Sequence, residues 1–507
     1  MAETEDHPTP PAYTEPHNEH LVNNSDLSDV DDSRPTWYLT VPEVKLLGIA
    51  GVGFFLDAYD LFVINPVATM LQYRLYNGGS LPSGLEGFLK AGANIGSVIG
   101  QFAFGFAADY FGRKAVYGKE LMLIIFATIM CISDPTGDLS PQGSLIWLAV
   151  FRIILGIGVG GDYPMSASVS TDRAHLRRRG TMLAYIFSNQ GWGSLIGSLM
   201  FIIVLACYHH TMDVDGKTSK VDGVWRIVVG MSLIPAFGTL YQRLTLPEAK
   251  RFEESQEGNG ASSDLKKENS ADVEKSSQPE SSTEGRRHAQ AIAANKKSHF
   301  ADFFSCWFLL DIAFYGINLN QNVVLQEIGF DGSSGSPWTR LFKIGIGNLI
   351  ITALGFVPGY YATIFSIEKL GRKWIQIQGF LMAALFLGIL AGKFHSLSNA
   401  AFIVNFALLQ FFFNFGANAT TYCYPAELFP TKFRATAHGV SAAFGKAGAI
   451  ISALAFNSLS QKIGTPAVLW IFFGCCIAGA VCSLLLPEVR GRDPDVVYAA
   501  ELRERGT

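Results

Sequence analysis

The sequence predicts an all-α membrane protein with twelve transmembrane helices in two pseudosymmetric six-helix bundles. Three observations support this prediction: an apolar composition, long apolar segments, and a repeat that relates the two halves of the chain. Of the 507 residues, 49% are hydrophobic and 16% are charged, whereas about 25% are charged in ordinary soluble proteins. The formal net charge of -4 argues against a nucleic-acid-binding protein, which would be basic.

A membrane core about 30 Å thick requires about 20 helical residues, and by that measure the chain contains twelve candidate spans. The segments must be helical because lipid offers the backbone no hydrogen-bond partners. The first six spans lie near residues 44–70, 87–108, 115–133, 143–170, 181–207 and 223–246. The second six lie near residues 301–327, 340–367, 373–393, 399–426, 432–461 and 466–487.

Long polar segments divide these spans into two groups. We expect a disordered N-terminal tail over 1–43, a six-helix bundle over 44–246, and a disordered linker over 247–300. A second bundle over 301–487 and a C-terminal tail over 488–507 follow.

Lysine and arginine concentrate in alternate loops. The loops after the second, fourth, eighth and tenth spans contain Arg113, Arg178, Arg372 and Arg434, whereas residues 134–142 contain no basic residue. Positively charged loops remain on the cytoplasmic side of a membrane. The pattern therefore predicts that both termini and the linker are cytoplasmic.

Short motifs repeat at matching places in the two halves. Asp-Tyr-Phe-Gly-Arg-Lys over 109–114 recurs as Glu-Lys-Leu-Gly-Arg-Lys over 368–373, and Tyr163-Pro164 recurs as Tyr424-Pro425. Such repeats indicate a duplicated six-helix unit, with a binding site near the membrane midplane where the two units meet.

Two features that could suggest other chemistry are better explained by packing. The stretch over 156–161 fits the GxGxxG pattern, but no strand precedes it, so close helix packing is favoured over a dinucleotide site. The seven cysteines lie in or beside apolar segments and form no CxxC pair, which argues against a disulfide framework or zinc site. We expect no enzymatic activity, no cofactor and no metal.

Ionisable residues inside spans are the most informative positions, because each costs about 2.5–3.5 kcal/mol at the bilayer centre. Lys90, Arg226 and Glu427 lie near span ends, where they can snorkel or cap. The residues deeper in the spans are Asp57, Asp60, Glu120, Arg152, Asp162, Asp311 and Lys446.

Asp57 and Asp60 are three residues apart and therefore share a helix face. Two carboxylates that close cannot both ionise cheaply, so one is expected to hold a proton near neutral pH. That arrangement suits a proton-coupled carrier; the alternative is a structural pairing with Arg152 or with backbone donors.

Trp307, Asp311 and Tyr315 follow an i, i+4, i+8 spacing, which places them along one helical stripe. Aromatic residues alone would suggest packing, but a carboxylate in their midst favours a site for a small polar substrate. Other interior polar residues could join this stripe: Tyr163, Gln190, Asn418 and Lys446. A lone Gln or Asn in a span more often forms a hydrogen bond that holds two helices together. The prediction of a substrate site therefore depends on all of these side chains meeting at one place.

Charged residues at helix ends near the basic loops form another group. Asp109, Gly112 and Arg113 follow the second span, and Glu427 and Arg434 flank the loop after the tenth. We expect them to form a charge network that holds the cytoplasmic side closed; the alternative is that they only set topology.

Several motifs resemble those of one transporter family. Gly105-x-x-x-Asp-x-x-Gly-Arg-Lys114 resembles the loop signature of the major facilitator superfamily, and Pro425-Ala-Glu-Leu-Phe-Pro430 resembles its sugar-porter-like branch. More specifically, Gly160-Gly-Asp-Tyr-Pro164, the first span and the stripe from Trp307 resemble the proton-coupled inorganic phosphate symporters of fungi and plants. Met165 and Thr171-Asp172 depart from the usual family residues without changing the expected substrate.

The resemblance implies uptake of inorganic phosphate with protons across the plasma membrane, by alternating access in a major facilitator fold. It implies that phosphate contacts Tyr163, Gln190, Trp307, Asp311, Tyr315 and Asn418. It assigns proton movement or charge balance to Asp57, Asp60, Glu120, Asp162 and Lys446.

Other functions remain open at this point. A symporter for sugar or another small solute shares the loop motifs, although its seventh span usually carries several Gln and Asn. An organic-cation carrier is disfavoured by Lys446. A phosphate-sensing receptor would need the same pocket as a carrier. Arsenate should compete with phosphate because it has the same shape and protonation.

Overall fold

The computed structural model describes residues 35–249, 303–330 and 335–504. Most of the predicted N-terminal tail and nearly all of the predicted linker lie outside the described residues. The first helix begins at Val41, just before the predicted end of the tail.

The described part of the first half, residues 35–249, contains nine helices. They are α1 (Val41–Phe62), α2 (Ile64–Tyr76), α3 (Ser83–Phe111), α4 (Arg113–Val116), α5 (Lys119–Ile132), α6 (Pro141–Arg173), α7 (Arg179–Cys207), α8 (Val221–Gly230) and α9 (Leu233–Leu244). Short 3₁₀ turns lie at Leu176–Arg178 and Thr218–Lys220, and a π-helical turn lies at His210–Val214.

The described part of the second half contains ten helices. They are α10 (Phe303–Asn318), α11 (Gln321–Glu327), α12 (Pro337–Ile351), α13 (Val357–Leu370), α14 (Arg372–Gly392), α15 (Asn399–Asn414), α16 (Ala417–Leu428), α17 (Arg434–Ile463), α18 (Thr465–Leu485) and α19 (Pro494–Glu504). A π-helical turn at Thr352–Phe356 joins α12 to α13, and a 3₁₀ turn at Thr431–Phe433 precedes α17.

Each predicted span coincides with a helix or a pair of consecutive helices. Among the described residues, ten segments are long and apolar enough to cross a membrane, and α10 with α11, bent by 51°, makes an eleventh. The remaining predicted span is α3, which has 29 residues but includes several glycines and the polar pair Glu86 and Lys90. The architecture is thus that of a twelve-span helical membrane protein.

Local sequence determines several of the helix boundaries. Ser140, Ser336 and Ser398 each precede a helix and accept a hydrogen bond from a backbone N–H in its first turn. These caps satisfy donors that would otherwise lack a partner. At the other helix ends, Gly112 and Gly371 adopt φ values of 91° and 84°, a region that favours glycine.

Gly92, Gly96 and Gly100, spaced four residues apart on α3, and the glycines of the GxGxxG stretch on α6 allow these two helices to pack backbone to backbone. A methyl group at Gly96 would collide with the carbonyl oxygen of Ile153, and one at Gly156 would collide with that of Ala93. Small residues at such positions let helices approach closely in lipid. The packing interpretation of these glycines is therefore sufficient.

The two halves meet along α3 and α17, which run antiparallel. A methyl group at Gly87 would lie 3.2 Å from the carbonyl oxygen of Ala453, and one at Gly105 would lie 2.9 Å from that of Ala435. On the other side of the molecule, Gly191 of α7 packs against Tyr360 of α13. Seven helices lie around one central space: α1, α6 and α7 of the first half, and α10, α13, α16 and α17 of the second.

We predict that Gly96→Val destabilises the fold, because the added side chain must displace the backbone of α6. Overpacking of this kind costs about 1–3 kcal/mol. The thermal midpoint of the purified protein should fall, whereas Gly474→Val, at a position with nothing within 4 Å of the added Cβ, should leave it unchanged. Equal melting of the two variants would contradict the close contact.

Candidate functional site

A hydrogen-bonded group of polar side chains lies in the central space between the halves. The Tyr163 hydroxyl of α6 donates to Asp57 Oδ2 of α1 over 2.7 Å. The Gln190 amide of α7 lies 3.4 Å from the same Asp57 oxygen and 3.3 Å from the Tyr163 hydroxyl. Three helices of the first half therefore supply an acid, a phenol and an amide to one place.

Residues of the second half complete this group. The Tyr360 hydroxyl donates to Gln190 Oε1 over 2.7 Å, and Asn418 Nδ2 donates to the Tyr360 hydroxyl over 2.8 Å. The Asn418 amide also lies 3.4 Å from Gln190 Oε1. The chain Asp57–Gln190–Tyr360–Asn418 thus crosses from one half of the molecule to the other.

Lys446 of α17 supplies the positive charge of this region. Its ammonium donates to the Tyr315 hydroxyl and lies 3.4 Å from that of Tyr163. It lies 4.0 Å from Asp311 Oδ2, an oxygen that accepts no hydrogen bond from any described residue. The ammonium also sits 4.0 Å from the Tyr315 ring centroid, within cation–π distance. Lys446 is therefore held mainly by phenols, and its carboxylate partner is only loosely engaged.

The predicted stripe on α10 faces this group. Tyr315 and Asp311 lie beside Lys446, and Trp307 lies two turns from Tyr315, packed against Gly445 and edge-on to His438 at 5.8 Å. The structure thus brings together all six residues of the predicted substrate set, together with Asp57 and Lys446. No side chain among these eight is more than 5% exposed.

Aromatic rings close the site on both sides. Towards the end where α1 begins, Phe187 stacks on Tyr422 at 4.5 Å, and Phe54 packs edge-on against both. Towards the opposite end, Phe62 packs against Phe314 and Phe356 at 6.2 and 6.0 Å. The polar group lies between these two apolar layers and is sealed from bulk water, as in an occluded state.

Asp60 does not join the central group, although it shares a helix with Asp57. It lines a separate, small cavity of about 20 Å³ with Arg152, Cys131 and Trp225. Within the described part of the chain its carboxylate oxygens accept no hydrogen bond, and Arg152 donates to its backbone oxygen over 3.0 Å. The two aspartates therefore have different surroundings.

Glu120 and Asp162 meet a partner that the sequence reasoning missed. Arg243 Nη1 lies 2.6 Å from Asp162 Oδ1 and 3.2 Å from Glu120 Oε1, and all three side chains are buried. Arg243 also donates to two backbone oxygens of α1. Arg243 lies near the end of the predicted sixth span, and the surplus of acidic over basic residues inside the spans could have indicated that it has buried acidic partners.

Tyr360 is a second residue that the sequence reasoning missed. It lies in Val-Pro-Gly-Tyr-Tyr over 357–361, where two adjacent tyrosines face different directions. Tyr360 is buried and bonded to Gln190, whereas Tyr361 is only partly buried. Tyrosines are common in membrane spans, and the sequence contained no signal that indicated which of these two tyrosines faces the site.

The predicted cytoplasmic network is a set of contacts between the halves. Asp172 at the end of α6 accepts hydrogen bonds from Arg113 and from Arg434 of the other half. Asp109 accepts from the backbone N–H of Ala435 and Thr436 at 3.3 and 2.7 Å. The left-handed backbone at Gly112 ends α3 and starts the turn that carries Arg113.

Glu427 belongs to a matching cluster in the second half. Arg372, which follows Gly371 as Arg113 follows Gly112, binds Glu427 with two bonds of 2.6 Å. Arg372 also binds Glu368, which accepts a bond of 3.0 Å from the backbone N–H of Thr181 on α7. The repeated Gly-Arg motif therefore builds an interhalf contact in both halves.

The opposite end of the molecule is also closed. Lys90 binds Glu86 over 2.6 Å and Asn320 of the other half over 2.9 Å. The expectation that Lys90 snorkels is therefore wrong: its side chain is 2% exposed because the second half covers it. Arg226 does cap, donating to the backbone oxygen of Asp134 over 2.5 Å.

Residues 46–495 match the family described as Sugar (and other) transporter. A Schizosaccharomyces pombe protein named as an inorganic phosphate transporter is 42% identical over 92% of this chain and 89% of its own length. Inorganic phosphate transporter PHO84 of Saccharomyces cerevisiae is 34% identical over 92% of this chain and 85% of its own length. The repressible high-affinity phosphate permease of Neurospora crassa is also 34% identical, over 92% and 87%.

Solved structures show the same fold at lower identity. The major facilitator superfamily proton:xylose symporter XylE, bound to a bromodeoxyglucose, aligns with a TM-score of 0.67 at 20% identity. The alignment covers 90% of this chain and 98% of that one. A partially occluded inward-open form of XylE from E. coli aligns with a TM-score of 0.66 over 89% and 99%.

We predict that Arg243→Met strongly destabilises the protein, because it leaves Glu120 and Asp162 as unpaired buried charges. Removing one partner of a buried ionic cluster costs about 3–5 kcal/mol. Adding Glu120→Gln and Asp162→Asn should restore most of the lost thermal stability, as measured by melting of the detergent-solubilised protein. No recovery in the triple variant would show that Arg243 acts through packing and not through charge.

Proposed function

The chain belongs to the Sugar (and other) transporter family, and from that premise we propose that it carries inorganic phosphate into the cell together with protons. It is a multi-pass membrane protein with the fold of major facilitator transporters, and it is not an enzyme. The proposal extends to the plasma membrane as its location. It also includes two bundles over 44–246 and 301–487, with cytoplasmic termini and a cytoplasmic linker.

The observation that carries this proposal is the buried ammonium of Lys446 among hydroxyl and amide groups from both halves. An ammonium held by two phenols and a carboxylate 4.0 Å away is available to a tetrahedral anion. Tyr163, Gln190, Trp307, Tyr315 and Asn418 can donate hydrogen bonds to its oxygens. Asp311 can accept the hydrogen bond that a protonated phosphate donates.

A sugar fits these groups less well. The seventh span does contain amide side chains, but they lie towards the end of the molecule that is opposite the basic loops. There they form hydrogen bonds with neighbouring side chains. Asn318 exchanges hydrogen bonds with Gln410, and Gln321 donates to Asn348 over 2.8 Å. The central site instead contains a buried ammonium, which a neutral sugar does not require. The names of the relatives also favour phosphate over a sugar.

Protons are needed because the site already contains more acid than base. Asp57 and Asp311 lie around the single ammonium of Lys446, and phosphate adds at least one more negative charge. Burying net charge of this kind is costly unless protons neutralise it. We assign proton transfer to Asp57, Asp60 and Asp311, and charge balance to Lys446 and to the pairing of Glu120 and Asp162 with Arg243.

Asp60 suits the proton role because its carboxylate oxygens accept no hydrogen bond from the described residues and line a cavity with Arg152. Its charge can therefore change without first breaking a hydrogen bond. A change in its charge alters the attraction of Arg152, which holds backbone oxygens of both α1 and α3. Protonation of Asp60 would thereby affect how α1, α3 and α6 pack against one another.

Alternating access requires the two ends to open in turn. We propose that the network of Asp109, Gly112, Arg113, Glu427 and Arg434 is the cytoplasmic gate, with Asp172 as its central acceptor. The contacts of Lys90 with Asn320, and of Asn65 with the Asn318 backbone oxygen over 2.6 Å, form its counterpart outside. The occluded arrangement has both sets of contacts intact.

A phosphate-sensing receptor would use the same pocket, so the deciding experiment is transport itself. Proteoliposomes containing the purified chain should accumulate radiolabelled phosphate but neither glucose nor sulfate. Saturable phosphate binding without accumulation would favour the receptor, and glucose accumulation would favour the sugar symporter.

We predict that an inward proton gradient drives this uptake. A protonophore should abolish accumulation, and uptake should rise as the external pH falls, because protons accompany the anion. Asp311→Asn should lower uptake about ten- to a hundredfold at unchanged expression, whereas the exposed Asp138→Asn should match the wild type. Uptake that is unchanged by the protonophore would contradict proton coupling. Wild-type uptake rates in Asp311→Asn would show that Asp311 has no role in the mechanism.

We also predict that arsenate competes with phosphate and that equimolar sulfate does not. Sulfate has no O–H to offer Asp311, so it meets an unpaired charged acceptor, which costs about 1–3 kcal/mol or more. Competition for phosphate uptake near neutral pH measures this difference. In equilibrium binding, Asp311→Asn should narrow the preference for phosphate over sulfate. Strong inhibition by sulfate in the wild type would show that Asp311 does not discriminate between the anions.

A further inference from the structure

Gln101 of α3 is a buried amide without a partner. Its side chain is 0% exposed, and neither its nitrogen nor its oxygen has a hydrogen-bond partner within the described ranges. Leaving such a group unpaired is costly, and most buried amides in folded proteins have a partner. An amide that remains unsatisfied in a closed state is a candidate for binding a ligand.

The packing of α3 on α17 places Gln101 close to the central site. The backbone oxygen of Gln101 lies directly against Gly439, while Gly87 and Gly105 contact Ala453 and Ala435. These contacts define one stripe on each helix. Lys446 lies on the α17 stripe, seven residues from Gly439, which is two helical turns or about 10 Å.

The antiparallel packing of α3 and α17 predicts that the Gln101 and Lys446 side chains extend towards each other. Side chains in a helix lean towards the N-terminus of that helix. Because α3 and α17 are antiparallel, Gln101 leans towards the level of Lys446, and Lys446 leans towards the level of Gln101. We therefore expect the ends of the two long side chains to converge between the two turns, near the phenols that hold the ammonium.

Asn94 provides an internal comparison. It is also 0% exposed with an unpaired amide, and it lies on the same stripe of α3, seven residues before Gln101. It lies at the level of the Lys446 backbone, and its side chain, like that of Gln101, leans towards the start of α3. From this level that direction leads away from the Lys446 ammonium, which leans towards Gln101. Two amides of similar burial thus differ in whether they are directed at the ammonium.

We propose that Gln101 is a further substrate-binding residue, whose amide contacts the tetrahedral oxyanion beside Lys446. Its N–H group donates to a phosphate oxygen, and its carbonyl accepts from a phosphate O–H. The inference rests on the proposed phosphate function and extends it to α3, a helix that contributes none of the predicted substrate residues.

Equilibrium binding of radiolabelled phosphate to the purified full-length protein tests this inference. Gln101→Leu should weaken binding about ten- to a hundredfold, because a ligand oxygen loses its donor in a dry site. Asn94→Leu should retain the wild-type affinity. Both variants should remain at least as thermally stable as the wild type, since each replaces an unsatisfied amide by an apolar group of similar size.

Gln101→Glu gives a readout that a purely structural role would not produce. At neutral pH the glutamate repels the anion, and binding should fall further than in Gln101→Leu. As the pH falls, the glutamate becomes protonated and gains an O–H donor. The phosphate affinity of Gln101→Glu, relative to that of the wild type at the same pH, should then recover. This comparison remains informative even if Gln101→Leu folds poorly.

The outcomes separate the inference from the function on which it rests. Wild-type affinity in a folded Gln101→Leu, or no relative recovery of Gln101→Glu at low pH, overturns the role of Gln101 alone. Weakening by Asn94→Leu equal to that by Gln101→Leu also overturns it, because the effect would then come from the helix interface. Absence of phosphate binding by the wild type overturns the proposed function and this inference together.

Discussion

The structure depends on one constraint: charges buried in a bundle surrounded by lipid must find partners inside the protein. Lys446 is the clearest case, because its ammonium lies at the centre of the molecule and is held by Tyr315, Tyr163 and, at a distance, Asp311. Its contacts come from both halves. The groups that neutralise this charge therefore also hold the two bundles together around the site.

The same constraint organises the rest of the buried charges. Arg243 balances two acids within the first half, and Asp172 joins an arginine of each half at the basic end. At the opposite end Lys90 bridges the halves through an amide. In the proposed alternating-access cycle, the first contact can persist while the bundles move, whereas the other two would break when their end opens. Under that proposal, position relative to the interface separates a structural charge from a gating charge.

Much of the fold and part of the site could be predicted from the sequence, because membrane-spanning segments differ clearly from other segments in length and hydrophobicity. Span lengths, the interior acids and the repeat of Gly-Arg-Lys predicted the helices and the family resemblance. The aromatic and acidic stripe of α10 was recognisable because helical periodicity is local. Arg243 and Tyr360 were missed, since nothing local distinguishes a buried arginine or phenol near a span end from one that faces lipid or water.

The sequence alone determined which segments cross the membrane. It also determined which side chains are too polar to lie inside the membrane without a function. Both properties follow from the transfer free energies of individual residues. What only the tertiary structure decided is pairing. Asp57 and Asp60 are equivalent along the chain, yet one accepts a hydrogen bond from Tyr163 and the other lines a cavity beside Arg152. The physical reason is that a buried charge is stabilised by groups brought from distant parts of the chain, and their approach depends on how whole helices pack.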